Sequence, residues 1–233
     1  MRFKQLLSLS LVTATALLSS RGTHAQQEDA RLRTTLKKLD AASATFTSAQ
    51  ADFHNELYNS LVKDTTVQDG KVYFLRMKKG GTQMGAKIVG QGARTVEYKN
   101  GILRDFIPGA ACFNTVQAGD GKAKIDTFLT LGFGGSGTDL EKSWVITDQG
   151  PETLAEAGKP VAVEKLLLVP KDKGVQNNVT QVTLWMDLSR GVSLKQVLES
   201  PTRDTKTATY SNIKLNEKKI DTKPFEIKGS SCK

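Results

Sequence analysis

The stretch from Gln181 to Lys228 constrains the fold of this chain more than any other. It reads QVTLWMD, LSRG, VSLKQVLES, PTRD, TKTATYSNIKLN and a tail ending PFEIK. Three runs rich in Val, Leu, Thr, Tyr and Ile are parted by short turn-forming clusters, the pattern of an antiparallel strand meander. In the first run Val182, Leu184 and Met186 alternate with Thr183 and Asp187, so one face is apolar and the other mostly polar. Trp185 interrupts the polar face and requires a partner of its own. In the second run Val192, Leu194 and Leu198 share a parity that only Gln196 interrupts. A short sheet with one apolar face cannot stand alone in water. An upstream element or a ligand must cover it.

The candidates for that cover lie upstream. Leu32, Leu36 and Leu39 fall at helical spacing among Arg31, Arg33, Lys37 and Lys38, which predicts an amphipathic helix over Glu28–Ser43. From Phe46 the period changes to that of strands: SAQADFHNELYN, then KVYFLRMKK after a turn expected at Val67–Gly70, then Gln83–Val89 and Ala93–Tyr98. Asn100-Gly101 predicts a tight hairpin, because both positions of a type I′ turn need positive φ. ILRDFIP and ACFNTVQ follow. Lys122–Leu131 returns to a helical period, and a second short helix is expected over Thr138–Trp144. SWVITDQ and VAVEKLLLVPK lead into the meander. The order is a helix, about six strands, a helical insertion and about five strands. That predicts a mainly β, α+β chain with an antiparallel sheet or barrel and helices on one side.

Arg2, Lys4, the apolar run Leu6–Leu18 and the small-residue site Thr23-His24-Ala25 have the form of a secretory signal peptide. Cleavage after Ala25 would leave residues 26–233 as a single exported domain. The formal charge of +9 falls to +6, because Arg2, Lys4 and Arg21 leave without any acid. A modest basic excess suits anionic surfaces or acidic partners. Nucleic acid is not expected in an exported protein. Cys112 and Cys232 are either bridged, as pairs in oxidising compartments usually are, or one is a buried thiol and the other sits in a frayed tail. One mature histidine and two cysteines predict no metal site, and no cofactor is called for.

Chemical motifs are sparse. Gly132, Gly134 and Gly137 satisfy G-x-G-x-x-G, but a helical segment precedes them and no βαβ order surrounds them, so a flexible connector is expected rather than a phosphate loop. His54 stands alone without a nucleophile elbow, so no catalytic residue is assigned. The apolar inventory supports either an ordinary core or a cavity between a curved sheet and a helical cover.

The ordered set of segments resembles the periplasmic outer-membrane lipoprotein carrier (LolA/LolB-like) family. It comprises Leu39–Phe46 running into Ala51-Asp52-Phe53, the strand Gly70–Arg76, the Tyr98–Gly101 hairpin, LTLGFGGSG with the helix after it, and VTLWMDLSRGVSLKQ with TATYSNIKLN. The resemblance implies an incomplete antiparallel β-barrel with an N-terminal helix and a short helical lid over a hydrophobic cavity. It implies a soluble, monomeric periplasmic carrier that shields acyl chains of lipoproteins, or of a related lipid, between an inner-membrane releasing complex and an outer-membrane acceptor. Arg76 matches the residue that contacts the lid in that family. The acyl-chain cavity is expected from Phe46, Phe53, Tyr73, Met84, Phe106, Phe113, Phe128, Leu131, Leu168, Leu184 and Met186. The other reading is an exported sensor or interaction module that uses the same groove for a lipid or protein partner.

Overall fold

The computed structural model describes residues 20–78, 81–117, 128–129 and 131–232, with the side chains of 20–25 excepted. Most of the expected signal peptide and most of the helix expected over Lys122–Leu131 lie outside the described residues. The chain opens with helix α1 (Ser20–Thr45), which starts ahead of the expected Glu28. Eleven strands follow: β1 (Ser48–Asn59), β2 (Asp64–Arg76), β3 (Thr82–Val89), β4 (Arg94–Lys99), β5 (Ile102–Phe106), β6 (Asn114–Gln117), β7 (Trp144–Glu156), β8 (Lys159–Pro170), β9 (Gln181–Asp187), β10 (Val192–Glu199) and β11 (Thr205–Leu215). Two short helices, α2 (Gly137–Ser143) and α3 (Lys173–Gln176), complete the set used below. Among the described residues no helix is long and apolar enough to cross a membrane.

All eleven strands form one sheet in the order β6-β5-β4-β3-β2-β1-β11-β10-β9-β8-β7. Sequential strands pair antiparallel, and β1 pairs antiparallel with β11, so the first and last strands join two halves. β6 and β7 are the two free edges. The connection between them must therefore travel from one edge to the other. Its described part, residues 131–143, lies on the face that α1 also covers. The architecture is the open, incomplete antiparallel barrel with an N-terminal helix that the resemblance implies.

Several elements coincide with the sequence reading. β1 has the expected bounds. Asn100 and Gly101 take φ of 55° and 78°, and Lys99 pairs with Ile102 around them. Cys112 and Cys232 are joined across 120 residues. Closing so long a loop contributes on the order of 4–5 kcal/mol in the chain-entropy account. The bond fixes a C-terminal tail that lays Phe225 edge-on against Tyr73, ring centroids 4.9 Å apart. It fits there because Gly85 beneath has no side chain: a Cβ would lie 2.7 Å from that of Phe225.

Two expectations are corrected. Val67–Gly70 is not a turn; it lies inside β2, where Gly70 pairs with Phe53. The glycine serves close approach, since a Cβ there would sit 2.4 Å from the Phe53 ring and 2.3 Å from the Lys87 carbonyl oxygen. The reversal comes earlier, where the Asn59 side chain accepts hydrogen bonds from the amides of Leu61 and Val62 and Lys63 takes positive φ. Leu194 does not share a face with Val192 and Leu198 either. A register shift between Ser193 and Lys195 turns it to the opposite side. There it packs with Trp185 and Val163. Trp185 finds its partner in Glu152, 2.6 Å from the indole nitrogen, with Lys165 and Lys195 over its ring.

Candidate functional site

The alternation of β1 and β2 sets the apolar floor of the covered, concave face. Ala49, Ala51 and Phe53 lie opposite Phe74, Val72 and Gly70, and Met84, Ala86 and Ile88 continue the same side on β3. In the other half Leu166, Leu168, Val182 and Leu184 are wholly buried and pack with Leu36, Leu39, Leu140 and Met186. α1 and α2 therefore seal the β7–β10 half, and a strap of irregular chain, Leu131–Ser136, crosses to the β1–β3 half.

The strap carries Phe133, which is wholly buried. Its ring stacks on Phe74 at 4.6 Å between centroids and meets Tyr210 edge-on at 4.9 Å. Burial raises the pKa of the Tyr210 phenol, which keeps this wall neutral. Four polar contacts hold the strap. Ser193 donates its amide to the Gly132 carbonyl at 2.7 Å, and Gln196 donates Nε2 to the Leu131 carbonyl at 2.7 Å. Ser43 Oγ and Arg76 Nη2 both donate to the Gly134 carbonyl, at 2.8 and 2.7 Å. Arg76 Nη1 also donates to the Ser43 carbonyl at 2.6 Å, and its guanidinium lies 5.6 Å from the centre of the Phe46 ring. A cation there satisfies carbonyls that the last turn of α1 leaves free.

The glycines are the reason the strap lies so close. Gly132 and Gly134 take φ of 78° and 75°. A Cβ at Gly134 would sit 2.3 Å from the Phe46 ring, and one at Gly132 2.5 Å from Gln196 and Ser193. The expected flexible connector is instead a packed strap. It ends at Ser136, which accepts the Asp139 amide and caps α2, while Asp40 of α1 accepts the Thr138 amide at 2.9 Å.

Under the first half of α1 the cover is polar. Arg31 Nε lies 3.0 Å from Asp148 and 3.5 Å from Glu164, and Thr35 donates to Asp148 at 3.2 Å. Burial, then the hydrogen bond and charge of Asp148, push Glu164 up to about 7 against the opposing charges of Arg31 and Lys38.

The expected cavity residues do not form one group. Phe46, Phe53 and Met84 line the half under the strap. Leu131, Leu168, Leu184 and Met186 belong to the sealed half, and Phe128 packs at its edge against Trp144. Tyr73, Phe106 and Phe113 are on the opposite face. Tyr73 alternates with Val72 and Phe74 and lies under Phe225; Phe106 pairs with Thr95 on the side of Lys87; Phe113 bridges the tail at Ser231 and lies 5.7 Å from Arg104. Arg76 contacts Gly134, between the expected lid and α2; most of that lid lies outside the described residues. Ser43, Ser193 and Gln196 were missed as strap holders. The polar interruption of an apolar parity at Gln196 is the one signal that pointed to any of them. His54 is on the outer face, with Nδ1 2.8 Å from Asp69.

No protein-family model matches the chain, and no curated protein matches it in sequence. Among solved structures the fold is similar to that of MucB, at 14% identity and a TM-score of 0.50, over 85% of this chain and 63% of that one. It is similar also to the MucA/MucB complex of Pseudomonas aeruginosa, at 13% identity and 0.50, over 85% and 61%. The chain thus spans less than two thirds of those proteins. A LolA superfamily protein of Nitrosomonas europaea aligns over 84% of this chain and 97% of its own, at 14% identity and a TM-score of 0.40.

Proposed function

We propose that this chain is an exported, periplasmic carrier that takes an acyl chain of a lipoprotein, or of a related lipid, into the concave face and later gives it up to an acceptor. Its role is binding rather than catalysis. The observation that carries the reading is Phe133: among the described residues, one aromatic side chain on a strap held by a few hydrogen bonds occupies the groove. Burying Phe133 is worth about 1.5–3 kcal/mol, and each hydrogen bond about 1 kcal/mol. An acyl chain gains about 0.8 kcal/mol per buried methylene. A long chain can therefore displace the strap with free energy to spare, and the returning strap competes with it and keeps release possible. Native mass spectrometry of the purified exported protein tests this directly. Acyl-lipid adducts that increase in Phe133→Ala are expected; no adduct in either form, with no uptake of an added acyl probe, overturns the reading.

A second reading rests on the likeness to MucB, one of whose structures is a complex with MucA. In it the same groove receives a segment of a protein partner. The same spectra separate the two, because a polypeptide rather than a lipid would then co-purify.

A further inference from the structure

The concave face changes character toward the β1–β2 hairpin. The row holding Phe53 and Tyr210 is aromatic; the next pairs Asn55 with Gln68 and Ala208; the last places Leu57, Lys206 and Leu198 side by side on β1, β11 and β10. Asn55 and Gln68 are 4% and 9% exposed, so a polar band is built into the floor. Beyond it Lys206 opens into a cleft of about 440 Å³ whose walls include Leu57, Leu198 and Val179.

Lys206 makes no hydrogen bond or ion pair with a described residue. Two acids share the cleft, but both are committed elsewhere: Glu199 accepts from Gln181 at 3.0 Å, and Asp204 accepts the Ser60 amide and the Thr202 hydroxyl, each at 2.7 Å. Lys206 is accessible through the cleft mouth. The protein around its amine still desolvates it and, with the charge of Arg94, lowers its pKa. Arg94 has two long contacts of its own, 3.6 Å to Asp105 and 3.5 Å to the Gly92 carbonyl. An amine without a partner, in a cleft whose two carboxylates are already engaged and near a second cation, favours an anion beside it.

We propose that this end of the concave face is the head-group subsite for an anionic amphiphile, with Lys206 as the cation that meets its carboxylate or phosphate. The proposal rests on the carrier reading and deepens it. From the Lys206 row to the Phe53 row is four residues of strand, about 13 Å. A tail anchored at Lys206 therefore reaches the place of Phe133.

Calorimetric titration of the disulfide-bonded protein with dodecanoate, dodecyl phosphate, dodecanol and inorganic phosphate tests it. At least one anionic amphiphile is expected to bind about tenfold tighter than dodecanol, the worth of one charge-assisted contact. Lys206→Gln should erase that preference and Lys206→Arg keep it. A preference that survives Lys206→Gln, or none in the wild type while dodecanol binds, overturns the subsite alone. Lys206-dependent binding of inorganic phosphate as tight as that of dodecyl phosphate assigns the site to a free anion and overturns the lipid head group. Failure of all three amphiphiles, in the wild type and in Phe133→Ala, overturns the carrier reading with it.

Discussion

The two halves of the sheet are built from similar side chains and closed in different ways. Over β7–β10 the cover is helix, and Leu166, Leu168, Val182 and Leu184 lose all contact with solvent under Leu36, Leu39 and Leu140. Over β1–β3 the described cover is one strap residue, Phe133, and Met84, Ala86 and Ile88 stay half-buried. The first half is a core whose opening means unfolding. The second is a surface whose described cover is held by one ring and a few hydrogen bonds. A groove for an acyl chain needs both: a rigid wall and a removable occupant.

That contrast fails or sharpens under substitution. Leu184→Ala in the sealed half should cost about 3–4 kcal/mol in urea denaturation, because the packed neighbours cannot collapse into the void. Glu164→Gln probes the polar seam in the same half. A carboxyl whose folded pKa lies near 7, above its unfolded value of 4.5, holds its proton longer in the folded state. Its stabilising contribution is full below about pH 4.5 and is lost as the pH rises through about 7. Wild-type stability should therefore fall across that window, and Glu164→Gln should flatten the profile, with a gain of about 1–3 kcal/mol at pH 8. Phe133→Ala should cost about 1.5–3 kcal/mol, under the usual value for a buried aromatic, because the strap can shift into the space the ring leaves. A cost equal to that of Leu184→Ala would erase the distinction between the halves. Gly134→Ala should have the smallest effect on stability, about 1 kcal/mol, since positive φ and the Phe46 ring push the strap outward while the sheet stays closed. Uptake of an acyl probe should rise in this variant.

Strand periodicity made much of the architecture legible. The bounds of β1, the Asn100-Gly101 hairpin and the six-then-five grouping of strands follow from alternation and turn chemistry. The departures in the fold have two causes. A glycine in sequence does not say whether it serves a turn or a close approach, and Gly70 and the strap glycines both serve close approach. A bulge is equally silent, and the one after Ser193 moved Leu194 off the face its parity assigned. The site is less legible than the fold, because size and apolarity alone mark a candidate cavity residue in the sequence. Those properties do not record which side of a strand faces inward, and Tyr73, Phe106 and Phe113 went to the wrong side.

Amide hydrogen exchange, resolved over residues 131–137 and over β8 and β9 with and without a dodecyl amphiphile, reads the central claim without any mutation. The account expects the ligand to speed exchange of the strap and leave β8 and β9 protected. A strap that stays as protected as those strands, or becomes more so when the ligand is added, would contradict it.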